Sequence, residues 1–161
     1  MSIDSHRELR RFMSSFSLLR PADPKHQATL LSLLRIVAGL LFFIHGTQKL
    51  FAVPANPVGP GAGTAVHLMS LLGLAGCIET FGGALISLGL FTQIAAFLAS
   101  GEMAVAYFKV HNPRSIFPII NRGEVVVLFC FVFLYLAFAG GGPYSLDAIL
   151  RKRTPAGAAE D

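Results

Sequence analysis

The chain has 161 residues, of which 53% are hydrophobic and 14% charged, with 14 Phe, no Trp and a net charge of +4. A soluble domain of this size cannot hide so much apolar material, so the class is an integral membrane protein. The basic residues crowd the two ends, where head groups and topology explain them, so the charge does not point to nucleic acid.

Residues 1–28 form a basic segment holding Arg7, Arg10, Arg11, Arg20 and Lys25. Leu9, Phe12, Met13 and Phe16 recur between the arginines at helical spacing, which suits a short helix on the inner membrane surface. A plain disordered tail fits equally. No apolar core precedes a small-residue cleavage site, so the segment reads as no cleavable signal. Pro21 and Pro24 are expected to break the chain before the first span.

Four stretches, near 29–51, 68–90, 93–111 and 124–141, are apolar enough to cross a bilayer, which takes about 20 residues. Lipid offers the backbone no hydrogen-bond partner, so the spans should be helices. The expected fold is all-α, a four-transmembrane-helix bundle over 29–150 with a basic tail, 151–161. Arg151, Lys152 and Arg153 in that tail, with the N-terminal arginines, put both termini in the cytoplasm of a multi-pass inner-membrane protein. Loops 52–67 and 112–123 are then outside, and 91–92 is a tight inside turn. Lys109, Arg114 and Arg122 near the outer face weaken that rule without reversing it.

Charges in hydrocarbon cost a few kcal/mol each on insertion scales, so each needs a reason. In the first span Arg35, His45 and Lys49 fall within an arc of about 80°, with Gly39 and Gly46 on or near it. A stripe both basic and small-sided should face protein. The second span carries Glu79, with Gly76 and Gly83 one turn away on the same face. The third carries Glu102, with Lys109 seven residues on. The fourth opens at Glu124, preceded by Asn121 and Arg122. Buried charges are usually paired, and matched depth allows Lys49 with Glu124, and Arg35 or His45 with Glu79 or Glu102. Arg35 and Lys49 also fit as snorkelling side chains, and Glu124 as a helix-N-terminal acid. Cys77 and Cys130 stand far apart in apolar runs and read as small buried side chains; no metal-ligand spacing is present.

Read in order, "LLRIVAGLLFFIHGTQKLF", "ETFGGALISLGLFTQIAA" and "NRGEVVVLFCFVFLYLAFAGGGPYSLDAIL" resemble the DoxX family, from about residue 30 to 150. The carriers are an arginine with His-Gly and Lys-Phe, a Glu with a Gly pair, a Gly-Glu helix opening and a Gly-Pro-x-Ser-Leu-Asp exit. Arg122 departs from the family's usual Asn-Gly-Gly-Glu. The resemblance implies a four-helix membrane protein linked to thiosulfate:quinone oxidoreduction or to complexes handling oxidative and thiol stress. The bundle also looks like that of vitamin K epoxide reductase, but paired redox cysteines are missing.

Three functions compete. The first is a quinone-linked redox component, with His45, Glu79 and Glu102 moving protons and Arg35, Lys49, Lys109, Asn121 and Glu124 binding the ligand. His45 suits a proton relay because its ordinary pKa is near neutrality. Phe42, Phe43, Tyr107 and Phe108 are candidates to line an apolar cavity. Quinone is the cofactor this reading implies, and a redox partner protein supplies electrons. The second is a non-enzymatic scaffold or assembly partner, its basic ends docking protein or anionic lipid. The third is a carrier, for which so few spans would require a homo-oligomer.

Overall fold

The computed structural model describes residues 23–55 and 63–153. The expected surface helix or tail lies almost wholly outside these residues, as do the middle of the Pro- and Gly-rich loop and the end of the C-terminal tail. Among the described residues the fold is all-α. Helix α1 is Pro24–Phe51; α2 is Leu71–Leu88; α3 is Thr92–Ala106, continued by a π-helical turn Tyr107–His111; α4 is a single turn, Pro118–Asn121; α5 is Glu124–Ala139; α6 is Leu146–Arg153. Helices α1 and α2 are long and apolar enough to cross a membrane.

The four long helices fall on the four expected apolar stretches, and their ends have local causes. Pro24 does not break the chain ahead of α1 but starts it, with Asp23 accepting a hydrogen bond from the Lys25 N–H. Proline is preorganised for a first helical turn, where its missing N–H costs nothing. Ser70 caps α2 through the Gly73 N–H, and Gly89 ends it in the left-handed region at φ 70°. A π-turn, Ile78–Gly82, interrupts α2 at Glu79.

The helices pack as two pairs, α1 on α2 and α3 on α5, joined mainly where α2 meets α3. The α1–α2 seam is backbone against backbone. A methyl at Gly46 would strike Thr80, and one at Gly83 would strike the Phe43 backbone. Ala95, Ala96 and Ala99 bury the small face of α3, so α5 can approach it closely. Phe42, Phe129 and Phe133 form an aromatic cluster between the pairs, with Phe42 edge-on to Phe133 at 4.7 Å and Phe129 stacked on Phe133 at 5.4 Å. The outer faces remain apolar: Leu33, Leu40, Phe81, Phe97, Phe131 and Phe138 are all exposed. Such a surface belongs in lipid.

One end of the bundle is tied by two side chains. Arg35, 1% exposed, donates from Nη1 to the Ile86 and Ser87 carbonyls at 2.6 and 2.5 Å. Its Nε donates to Gly141 O at 2.8 Å and its Nη2 to Tyr144 O at 2.6 Å. It thus joins carbonyls in the last turn of α2, where Ile86 O also accepts from the Gly89 N–H at 3.1 Å, to the segment that follows α5. Across the same end, the Asp147 carboxylate accepts from the N–H groups of Phe91 and Thr92 and from the Thr92 hydroxyl, at 2.8, 2.9 and 2.7 Å. That caps the start of α3, where the helix dipole also favours an anion.

Candidate functional site

A cavity of about 860 Å³ opens at the other end of the bundle. Its walls are mostly apolar, and six ionisable side chains line it: His45 and Lys49 from α1, Glu79 from α2, and Glu102, Lys109 and His111 from α3. Phe42 and Phe129 also line it. The volume lies in the range of ligand pockets, roughly 300–1,000 Å³.

The sequence brings these groups together through helix geometry. Gly46 lets α1 sit directly against Thr80, so Lys49, about one turn beyond, reaches Glu79. Lys49 Nζ lies 2.5 Å from Glu79 Oε1; the glutamate side chain is 3% exposed and the lysine 27%. Among the described residues this is the only salt bridge. It corrects the expected partner: Lys49 pairs with Glu79, not with Glu124. The apparent match in depth with Glu124 fails because Lys49 points across the seam into α2. The π-turn sits at that point of α2, and such bulges often accompany functional sites.

Glu79 Oε2 and Glu102 Oε2 are, among the described residues, the buried side-chain polar atoms left without a hydrogen-bond partner. A carboxylate oxygen in that state costs free energy. Glu102 lies near enough to Glu79 and Lys49 to feel both charges. His45 faces the cavity with its ring edge-on to Phe129, centroids 6.2 Å apart. His111 reaches the cavity because the π-turn Tyr107–His111 prolongs α3. Its Nδ1 donates to the Asn121 carbonyl at 3.0 Å, so that nitrogen carries the proton.

The remaining expected site residues lie elsewhere. Arg35 neither pairs with Glu79 or Glu102 nor lines the cavity; its donors go to the four carbonyls named above. Carbonyls at a helix end and in a loop can satisfy a guanidinium's donors without a carboxylate. Asn121, also buried, holds the turn before α5. Its Nδ2 donates to Ser115 O at 2.7 Å and its Oδ1 accepts from the Gly123 N–H at 2.7 Å. Glu124 is exposed at the first turn of α5, outside the cavity. Of the four aromatics expected in the lining, Phe42 is there and Phe43, Tyr107 and Phe108 are not. Gly101, Met103 and Phe129 line it without having been singled out from the sequence.

Asp147, outside the apolar helices, was visible only as the last letter of a motif. Burial alone would raise its carboxyl. The hydrogen bonds from Thr92 and Phe91, with Arg151 nearby, outweigh that and hold it below the ordinary aspartate range.

Comparison with known proteins agrees with the resemblance. The DoxX family model matches residues 30–112. An uncharacterized protein of Haemophilus influenzae is 43% identical over 126 residues, covering 76% of this chain and 92% of that protein. No solved structure matches.

Proposed function

Because the chain belongs to the DoxX family of membrane proteins, we propose that it is a four-span inner-membrane component of a quinone-linked redox system. Both ends would be cytoplasmic, and the cavity would hold the quinone. The observation that carries this reading is that Glu79 and Glu102, each with a buried carboxylate oxygen left unpartnered, both line an apolar cavity that also holds lysine and histidine. A quinone carbonyl takes a hydrogen bond from a protonated carboxyl, an ammonium or an imidazole. The hydroxyl of the reduced form donates one back to a carboxylate. Groups able to exchange a proton at that position fit both redox states. In this role Glu102 and Glu79 hold and release protons at their free oxygens. Lys49 fixes Glu79 through its other oxygen, and His45 on α1 and Lys109 on the continuation of α3 supply further donors. Reduction to the quinol takes two protons and two electrons; a redox partner protein supplies the electrons.

A second reading, a scaffold or assembly partner of a membrane complex, is favoured by one feature. Arg35, Asn121 and Asp147 all bind backbone and hold the helices in register. The cavity and its unpaired acids have no place in that account.

The test is ligand binding by the full-length protein in lipid nanodiscs. A decyl-trimethyl-benzoquinone should bind the wild type, and Glu102→Gln should weaken it at least tenfold, about 1.4 kcal/mol. Glu102 is in no ion pair among the described residues, so that variant should keep its helical circular dichroism. Wild type that binds no quinone, or Glu102→Gln that binds it equally well, overturns the reading.

A further inference from the structure

Helices α2 and α3 meet at the π-turn Ile78–Gly82 and along Gly83–Leu88, but the first turns of α2, Leu71–Cys77, make no comparable packing against α3. The two helices therefore splay apart toward Leu71, and the cavity lies in the gap. Its walls there are side chains that also face outward: Leu72 and Leu74 on α2, Phe97, Leu98 and Val105 on α3. The cavity lining thus runs without a break into the apolar outer surface.

Gly101 sits in this gap. Glycine inside a helix costs about 1 kcal/mol relative to alanine. At Gly46 and Gly83 the neighbouring backbone demands it. At Gly101 nothing lies within 4 Å of where a Cβ would be. Packing within this chain does not require the missing side chain, and the space beside it is open. Glu79 and Glu102, each with one unpartnered carboxylate oxygen, line the same cavity.

We propose that the splay between α2 and α3 is a lateral portal opening to the hydrocarbon. The occupant is a membrane-dissolved amphiphile with a small hydrogen-bonding head and one flexible apolar tail. The head reaches Glu79 and Glu102, and the tail lies in the gap over Gly101. This rests on the cavity being the binding site proposed above, and adds where the ligand enters and why it must carry a tail.

The test compares the decyl-trimethyl-benzoquinone with tetramethyl-benzoquinone, which has no tail and no free ring position for thiol addition. Both are titrated into nanodiscs of one lipid composition holding wild type or Gly101→Leu, so partition into the bilayer cancels between proteins. Gly101→Leu should weaken the tailed quinone at least tenfold and the tail-less one less than threefold. Leucine is a better helix former than glycine, and circular dichroism checks the fold; Leu72→Trp, from the opposite wall, should repeat the pattern. If both variants leave tailed binding unchanged, or weaken both quinones alike, the portal is wrong. Should that happen while Glu102→Gln still weakens both quinones, the portal fails and the site stands. If the wild type binds neither quinone, site and portal fail together.

Discussion

At the scale of single residues, the Lys49–Glu79 pair decides the character of the cavity. Its members are not equivalent: the carboxylate is 3% exposed and the lysine 27%. Lysine deprived of its partner can swing its ammonium toward the open side on a flexible stem. The glutamate cannot follow water. Lys49→Met should therefore cost more stability, about 3 kcal/mol, the figure for stranding one member of a buried pair. Glu79→Gln should cost about 1–2 kcal/mol, because glutamine can still hydrogen-bond. Thermal unfolding in one detergent compares them, and equal or reversed losses would mean the two partners are equally solvated. The sequence showed that His45 and Lys49 share a helix face and that both acids must turn inward. It could not show which acid meets which base, because apolar runs define faces well and depths poorly. Two π-turns, at Ile78–Gly82 and Tyr107–His111, then shift the register, and nothing in the letters of "IETFG" or "YFKVH" announces them. Arg35 was misjudged for a related reason: its acceptors are main-chain carbonyls, which have no signature in a sequence.

At the scale of elements, the tied end of the bundle depends on a loop and a short helix grasping two others. Asp147 belongs to α6 yet caps α3. Its folded pKa lies below the usual aspartate value, about 3.9 when unfolded. The stability it contributes is therefore complete above that value and disappears as pH falls through the lower folded pKa. Asp147→Asn keeps one acceptor oxygen and loses the charge. It should cost about 1 kcal/mol, typical of a helix cap, and should flatten the acid limb of the stability profile. A variant with an unchanged acid limb would show that the cap does not titrate. Helix α6 itself was not foreseen, its residues 146–150 being assigned to the membrane domain and 151–153 to the basic tail, since eight residues are too few to display a convincing helical period.

At the scale of the whole molecule, the four apolar helices were plain from length and hydropathy, and local capping set their ends within a few residues. The pairing of α1 with α2 and α3 with α5 was not, although the glycine-bearing faces marked where backbones would touch. Four crossings, as proposed above, would place both described ends on one side of the membrane. In a Cys77→Ala, Cys130→Ala background, Lys25→Cys and Lys152→Cys should react with a membrane-impermeant maleimide from the same face, and Met69→Cys from the opposite one. Labelling of Lys25→Cys and Lys152→Cys from different faces would require an odd number of crossings and a different bundle.

The Arg35 clamp has a bearing on how such a molecule is made. Its acceptors at Gly141 and Tyr144 lie 106 and 109 residues downstream. A growing chain must hold a guanidinium in its first helix while nearly everything that will satisfy it is still untranslated. Until the final segment arrives, that charge has to be hydrated, lipid-bound or shielded by insertion machinery. The guanidinium gains its full set of acceptors only once the chain has been made through Tyr144 and that segment has closed onto the first helix.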